Sequence, residues 1–305
     1  MATKIADVSA HLVQLNVATL LEPIDHPASA EFANALELVN SLGEQSDGFI
    51  WRLQSDSGDA TDITLFPNPL TIVNMTVWAS VQDLKNFAYR GVHLDYFKRR
   101  GEWFDPTRSQ TALWWIAANT LPTTSDALAR LRFMARYGTS AFAFQMGQQH
   151  PTLTIDRTDL HHTDSVRLIE ELDQVLSQLY PEPGATHFML SADQIAPGRG
   201  GFFVARLDGL AIGCAAYRHI GQGRAEVKRM YTNPSARGLR VGAALLAQLE
   251  VAAMAEGITQ LVLETGERQP EAWGLYSNAG FERCECWGEY IETPSTSRCF
   301  SKQLE

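Results

Sequence analysis

The sequence predicts an α+β protein made of two domains. A chain of 305 residues is longer than one hydrophobic core usually needs, so two cores are expected. Segments in which every second residue is apolar, typical of strands, alternate with segments of helical periodicity. The stretch from Met146 to Pro151 has neither periodicity. We therefore predict domains over residues 1–147 and 151–305, joined by a short linker.

The first domain is predicted to be a sheet covered by helices. Val13, Leu15 and Val17 alternate as in a strand, and further strand-like segments lie at Phe49 to Leu53, Leu70 to Trp78, Ala112 to Ala118 and Ala141 to Phe144. Helical patterns, two of them opening on a capping box, lie at Ala28 to Leu42, Ser80 to Trp103 and Thr123 to Tyr137. The order strand, helix, strand, strand, helix, strand is typical of a ferredoxin-like α+β fold.

The second domain is predicted to be a larger sheet with fewer helices. Strands are indicated at Thr152 to Ile155, Phe202 to Arg206, Ala211 to His219, Ala225 to Tyr231, Leu261 to Glu264, Cys284 to Tyr290 and Cys299 to Lys302. Helices are indicated at Asp164 to Tyr180, at Val241 to Ala255 and from Pro270 onward. Short glycine turns separate the second, third and fourth of these strands, which predicts a meander.

Composition and charge exclude several classes of partner. The chain is 45% hydrophobic and 20% charged, as in soluble globular proteins, and its formal net charge is −10. An acidic protein without a basic stripe is not expected to bind nucleic acid or an anionic membrane, although a cationic amine would suit it. The sequence contains no apolar run of about 18 residues and no signal peptide pattern, so we expect a cytoplasmic protein.

The four cysteines are expected to be reduced. Cys214, Cys284, Cys286 and Cys299 form no C-x-x-C pair. In a strand Cys284 and Cys286 would share one face, and a metal site with Cys299 is the alternative. Because so few ligands are available, small apolar strand residues are the simpler interpretation and no metal is predicted.

The run from Glu226 to Gly242 carries the clearest chemical signal. Here a strand passes through a short turn into a long helix. Backbone N–H groups and the helix dipole at such a helix start favour a phosphate group. Arg237 and Arg240 add positive charge, and Gly238 and Gly242 let the backbone approach the phosphates closely. Ordinary turn chemistry is the alternative for this run on its own.

Downstream residues extend the pattern. Leu261-Val-Leu-Glu-Thr-Gly is followed by Gln269-Pro-Glu-Ala-Trp-Gly-Leu-Tyr-Ser-Asn-Ala-Gly-Phe. With these residues the sequence resembles the GNAT family of N-acetyltransferases over about Thr152 to Leu304. The resemblance implies acetyl-CoA as cosubstrate and an unidentified small-molecule or peptide amine as acceptor. It further implies contacts with acetyl-CoA from Arg237, Gly238, Leu239, Arg240, Val241, Gly242 and Gln269, although many members carry Asn at the last position.

The resemblance also implies direct attack of the amine on the thioester. A backbone N–H near Met230 would stabilise the oxyanion, on a strand that diverges from its neighbour, and Tyr231 and Thr232 would complete the contact with the cosubstrate. Tyr276 would protonate the departing thiolate, because a phenol has an ordinary pKa of about 10 against about 8.5 for a thiol.

Two carboxylates compete for the role of general base. Glu226 lies eleven residues before Arg237, where some family members hold their base, and Glu264 ends the adjacent strand. Either could instead bind a cationic substrate or pair with Lys228 or Arg229. His187 and His219 are more simply structural residues. The loops from Pro181 to Arg199 and from Gly288 to Ser297 are expected to line the acceptor site.

The first domain is rich in aromatic residues. Five of the seven tryptophans precede residue 150. From about Ser9 to Phe144 the sequence resembles an uncharacterised family related to the dimeric α+β barrel, monooxygenase-like proteins. Relatives of that kind bind ligands between sheet and helices, which makes His93, Trp103 and Trp115 candidate pocket residues. The alternative is an aromatic core with a dimer interface, and a homodimer is expected in either case.

Three functions remain open from sequence alone. The first is an acetyltransferase fused to a dimerising or ligand-binding domain. The second is a sensor that binds acetyl-CoA without turnover while the first domain detects a small molecule. The third is a monooxygenase-like first domain with the second as an accessory. Because Tyr276 and Glu226 are both present, we predict the enzyme.

Overall fold

The computed structural model describes residues 10–182, 190–291 and 296–304. The chain divides into two compact units, Met1–Thr152 and Leu153–Glu305. The segment predicted as a linker belongs to the first unit, where the His150 ring packs 5.6 Å from that of Phe144. The chain therefore leaves the first unit at Thr152, later than the predicted boundary.

The first unit contains a four-stranded antiparallel sheet of order β2-β3-β1-β4. Its strands are β1 (Ala10–Thr19), β2 (Phe49–Arg52), β3 (Thr71–Trp78) and β4 (Gln110–Ala117). Its helices are α1 (Ala30–Glu44), α2 (Val81–Ala88), α3 (Gly91–Arg99) and α4 (Thr124–Tyr137). The predicted helix from Ser80 to Trp103 is broken into α2 and α3. The predicted strand from Ala141 to Phe144 is reduced to a single bridge between Phe144 and Leu113.

The alternation of β1 explains how the sheet buries both faces. Val13 and Leu15 lie on one face and pack in a core that includes Ala127 of α4. Leu12 lies on the other face, with Trp78 and α2. Successive strand residues point to opposite sides, so a strand with apolar residues in both sets must be covered twice. The element order and sheet order are compatible with a ferredoxin-like unit, and the barrel stays a prediction.

The second unit contains a seven-stranded sheet of order β10-β11-β9-β8-β7-β6-β5. Its strands are β5 (Leu153–Arg157), β6 (Gly200–Leu207), β7 (Leu210–Gly221), β8 (Arg224–Thr232), β9 (Gln260–Gly266), β10 (Glu282–Arg283) and β11 (Ser297–Gln303). Its helices are α5 (Thr163–Leu179), α6 (Val241–Ala255) and α7 (Pro270–Asn278). All neighbouring strands are antiparallel except β8 and β9, which are parallel because α6 connects them. Leu168 of α5 packs on the face that carries Cys214, and Leu245 of α6 lies against Gly213.

The end of the chain corrects two predictions. The strand predicted from Cys284 to Tyr290 is not formed, since β10 ends at Arg283 and a 3₁₀ turn occupies Gly288–Tyr290. Cys286 and Cys299 form a disulfide with Cα atoms 5.3 Å apart. The prediction that all four cysteines are reduced is therefore wrong for this pair, and it fails because residues 13 apart in sequence meet only in the folded hairpin.

Two kinds of feature are absent from the described ranges. Among these residues no group of three or more His, Cys, Asp or Glu side chains is arranged to hold a metal ion. No described helix combines the length and the apolar character needed to cross a membrane.

Candidate active site

The centre of the second unit is an opening between β8 and β9. Their parallel pairing runs from Arg224 with Gln260 to Val227 with Leu263 and ends there, although both strands continue. Beyond this point Glu264 of β9 pairs only with Cys299 of β11 in the described sheet. The two central strands therefore diverge, which leaves a gap in the middle of the sheet.

A β-bulge on β8 borders this gap. Lys228 pairs with Ala216 and Tyr231 pairs with Cys214, so three steps on β8 match two on β7. Arg229 takes up the extra residue with a φ of 53°, in the left-handed region. A bulge re-aims the backbone next to it. The residue that follows is Met230, whose N–H was predicted to stabilise the oxyanion.

The turn between β8 and α6 is open to solvent. All four residues of the loop Arg237–Arg240 are exposed, and the Arg237 side chain is 56% exposed. Gly238 has a φ of 79° with no atom within 4 Å of the position a Cβ would take. Arg240, the N-cap of α6, also adopts a left-handed conformation, with a φ of 61°. Both residues turn the chain at the start of α6, whose first N–H groups have no carbonyl acceptor within the helix.

Gly242 lies in a tightly packed position, and its predicted approach to a phosphate stays a prediction. A Cβ at this position would lie 3.1 Å from Leu275 of α7 and 3.6 Å from the Met230 methyl group. The glycine thus allows α7 and the bulged part of β8 to pack directly against the first turn of α6.

Gln269, the N-cap of α7, accepts a hydrogen bond from Thr265 at 3.4 Å, so its side chain is bound to β9.

The other residues predicted to contact the cosubstrate lie in different surroundings. The Tyr231 side chain turns toward α5, where its hydroxyl donates to Glu171 at 3.2 Å. Thr232 pairs with Gly213 at the end of β8. Leu239 is exposed in the loop, whereas Val241 is buried in the first turn of α6. Of these side chains, only that of Leu239 extends from the loop into solvent.

Glu264 lies where the pairing of β8 and β9 has ended, and its charge acts on Tyr276. Tyr276 of α7 is 6% exposed, and its ring packs 6.0 Å from Phe300. Burial raises the pKa of the Tyr276 hydroxyl, and the charge of Glu264 raises it further. The Glu264 side chain is half-buried, and burial likewise raises the pKa of its carboxyl above the usual value against a lowering hydrogen bond from Ser297. The pair therefore combines a protonated phenol with a carboxyl of increased basicity.

Glu226 has a different environment. It is 1% exposed, and one carboxylate oxygen accepts from Tyr290 at 2.6 Å while the other accepts from Arg218 at 2.7 Å. Lys228 lies 3.5 Å from the same carboxylate. The predicted alternative, an ion pair, is thus present, with Arg218 in place of Arg229. A carboxylate held on both oxygens is a poor acceptor for a substrate proton, so the geometry favours Glu264 over Glu226 as base.

Comparisons with known proteins show the family to which the second unit belongs. The model of the acetyltransferase (GNAT) family matches residues 168–281. An IAA acetyltransferase of Azospirillum brasilense is 38% identical over 145 residues, which cover 47% of this chain and 94% of that protein. The chain belongs to the GNAT acetyltransferase family. The membership rests on the second unit, so this unit is a transferase domain.

Two solved structures are similar to the GNAT domain. A Klebsiella pneumoniae protein described as an acyl-CoA N-acyltransferase is 29% identical with a TM-score of 0.44, covering 50% of this chain and 98% of that one. A GNAT acetyltransferase of Elizabethkingia anophelis with acetyl-CoA bound is 17% identical with a TM-score of 0.37, covering 50% and 98%. The first unit matches the model of a domain of unknown function (DUF3291) over residues 11–159.

Two residues that bind the Glu226 carboxylate were not predicted from the sequence. Arg218 and Tyr290 lie 8 and 64 residues from Glu226 along the chain. Only the β7–β8 hairpin offered a signal, since Arg218 and Glu226 fall opposite each other when that hairpin is registered. His219 contacts Glu256 at 2.9 Å, and His187 lies outside the described residues. The two predicted acceptor loops lie partly outside them as well.

The pocket candidates of the first unit do not form one site. Trp115 lines a cavity of 440 Å³. Trp103 is 4% exposed and packs 5.8 Å from the Tyr96 ring. His93 is bound through Nδ1 to the Ala88 carbonyl at 2.9 Å, and burial lowers the pKa of its imidazole. Of the three candidates only Trp115 lines this cavity.

Proposed function

We propose that the protein is an acetyl-CoA-dependent N-acetyltransferase that transfers the acetyl group directly to an amine. The main support is the opening between β8 and β9, which has the exposed start of α6 at one end and Glu264 with Tyr276 beside it. A thioester on an extended arm needs such an opening to reach groups on both strands. Family membership supports the transferase, and the N-acyl specificity is our proposal.

Acetyl-CoA would be held by the loop Arg237–Arg240 and by the first turn of α6. The loop fits a diphosphate because it is exposed, carries two arginines and has free space at Gly238. Bound there, acetyl-CoA supplies the activated acyl carbonyl. Glu271, which pairs with Arg237 at 3.6 Å, would have to release that arginine. Since both side chains are exposed, this release costs little.

The reaction then uses three groups of the chain. The amine nitrogen attacks the acyl carbonyl to form the C–N bond, and the C–S bond breaks. The N–H of Met230 would donate to the oxyanion, Glu264 would accept the amine proton, and Tyr276 would give its proton to the thiolate. The raised pKa values suit these roles, since Tyr276 stays protonated at neutral pH and Glu264 binds a proton more readily than an exposed carboxylate.

A thermal melt with acetyl-CoA tests the binding half of the proposal. At about 100 times its dissociation constant, a ligand should stabilise the native state by about 2.7 kcal/mol. The double variant Arg237→Gln/Arg240→Gln should lose most of this shift. Arg108→Gln, which removes an exposed arginine of the first unit, should keep it. An acetyl-CoA shift that is absent in the wild type, or unchanged in the double variant, would refute the proposed loop.

Release of free thiol against a panel of amines tests turnover. An enzyme should release CoA with at least one amine at a rate above hydrolysis. A wild type that gives the melting shift and no thiol with any amine would favour the sensor instead. This outcome is also the one that would leave Glu264 and Tyr276 without a catalytic role.

For the first unit we propose a small-molecule site at Trp115. The cavity of 440 Å³ is lined by apolar side chains, among them Leu113, Trp115 and Phe144, and by polar ones, among them Lys85 and His150. Quenching of tryptophan fluorescence by 1-anilinonaphthalene-8-sulfonate should be weaker in Trp115→Leu than in Trp51→Leu. Equal quenching would count against this site. A monooxygenase-like activity lacks comparable support, because His93 is bound to the backbone and lines no part of this cavity.

Two further proposals concern the whole protein. We propose a homodimer formed through the first unit, which sedimentation of the isolated protein would test. Cytoplasmic location also remains a proposal, and the Cys286–Cys299 disulfide removes the support that reduced cysteines would have given it. Fractionation of the source cells would decide the location.

A further inference from the structure

A second cavity of 390 Å³ lies along β8, on the side of Glu226. Its wall combines two arginines and two glutamates with aromatic residues from the 3₁₀ turn and the residue before it. The side chains that matter here are Arg218, Arg224, Glu226, Trp287, Glu289 and Tyr290. The cavity reaches Glu226 on β8, and Lys228, two residues further along the same face, lies 3.5 Å from that carboxylate where the pairing with β9 has ended.

The charges in this cavity are paired except for one. Arg218 contacts Glu226 at 2.7 Å and Glu289 at 3.4 Å, so one guanidinium serves both carboxylates. Lys228 is the second cation beside Glu226. Arg224 is the exception. In the described ranges its guanidinium forms no ion pair, and its Nε is buried without a hydrogen-bond partner.

An arginine in this state indicates a missing partner. Buried donors are almost always satisfied, because leaving one unpaired forfeits its interaction with water. The planar guanidinium fits a carboxylate through two parallel hydrogen bonds. The cavity wall beside Arg224 offers Ile220 and the Trp287 ring, which suit an apolar body.

We infer that the acceptor is an amine carrying a carboxylate, which Arg224 binds at the far end of this cavity. The inference rests on the proposed function. Arg224 is four positions from Lys228, where β8 diverges from β9, and at about 3.3 Å per residue this is about 13 Å along the strand. The carboxylate and the reacting nitrogen therefore lie several bonds apart, with an apolar segment between them. This excludes simple alkylamines as the preferred substrates.

Direct binding tests the arginine without turnover. The probe is 4-ethylbenzoate, which has the carboxylate and the ring but no amine. We expect the wild type to bind it in calorimetry, and Arg224→Gln to weaken binding about tenfold or more, as for a lost hydrogen bond to a charged group. Arg224→Lys should fall between them. Arg283→Gln, which removes an exposed arginine of the same unit, should match the wild type.

Turnover gives the second readout. The wild type should prefer 4-(2-aminoethyl)benzoate to 2-phenylethylamine by about tenfold or more in kcat/KM, and Arg224→Gln should abolish the preference mainly through KM. The inference is overturned if 4-ethylbenzoate does not bind, if Arg224→Gln binds it as well as the wild type, or if the amine without a carboxylate is the better substrate.

The two failures can be told apart. If the acetyl-CoA melting shift and thiol release are normal while the carboxylate makes no difference, only the acceptor inference fails. If no thiol is released with any amine, the proposed function fails, and binding of 4-ethylbenzoate still decides whether Arg224 holds an anion.

Discussion

The paired and the diverging parts of β8 and β9 place the same residue type in opposite surroundings. In the paired part, Glu226 is 1% exposed and both of its oxygens are bound, by Arg218 and Tyr290. In the diverging part, Glu264 is half-buried and burial raises its pKa. The two carboxylates point to the same side of the sheet, because Glu226 is level with Val262, two residues before Glu264.

This difference separates a structural role from a chemical one. Where the strands are paired, a side chain on the sheet is surrounded by neighbours on several sides. A buried charge in such a place is stable only when hydrogen-bond or ion-pair partners compensate for its lost hydration. Where the strands part, one neighbour is lost and a ligand can enter. A carboxylate that has lost partners is more basic and more accessible, which are the two properties that a general base needs.

The largest effect is expected for Glu264→Gln. Loss of the general base should lower kcat/KM about a thousandfold, since positioned acid–base groups contribute about 10² to 10⁴ in rate. Binding of acetyl-CoA should be unchanged in the thermal melt. Activity within about threefold of wild type would mean that Glu264 is not the base, and the paired carboxylate would have to be reconsidered.

The pH dependence of the same variant sharpens the comparison. The wild-type acid limb of kcat/KM should have its midpoint above the usual glutamate pKa, because burial raises the Glu264 pKa, and the limb should disappear in the variant. The melting temperature should change in the opposite direction to the activity when Glu264 is replaced by Gln. A raised folded-state pKa contributes stability at low pH that is lost as the pH rises through it, so Glu264→Gln should gain melting temperature relative to wild type toward neutral pH.

The next effect is expected for Glu226→Gln, measured as stability. Removing the charge leaves Arg218 and Lys228 facing a neutral amide in a buried site, so the free energy of unfolding should fall by about 3 kcal/mol in denaturant titration. Glu264→Gln is the matched control, since it makes the same chemical change on the neighbouring strand and should not destabilise. If Glu226→Gln instead unfolds like wild type and loses its acid limb, the assignment of the two residues is reversed.

The sequence predicted the local features well and the distant contacts poorly. The helix Val241 to Ala255 was predicted with the bounds it has, because its apolar residues and the glycine that ends it are neighbours along the chain. The turn before this helix could be predicted for the same reason, since its glycine and arginines are adjacent in sequence. The partners of Glu226 were not, since Tyr290 reaches it from 64 residues away. The disulfide was missed for the same reason, and so was the contact of Gly242 with Leu275, which depends on how α7 packs.

The smallest of the three effects is expected for Tyr276→Phe, and it tests whether the diverging part holds an acid as well as a base. The ring contacts with Phe281 and Phe300 remain in the variant, so stability and acetyl-CoA affinity should stay close to wild type. Turnover should fall about a hundredfold, because the thiolate would leave without a proton donor. The decisive control replaces the leaving group: a thioester of a more acidic thiol needs less protonation, so it should restore most of the rate of Tyr276→Phe and almost none of that of Glu264→Gln. Equal rescue of both variants would show that the two residues do not divide the proton transfers between them.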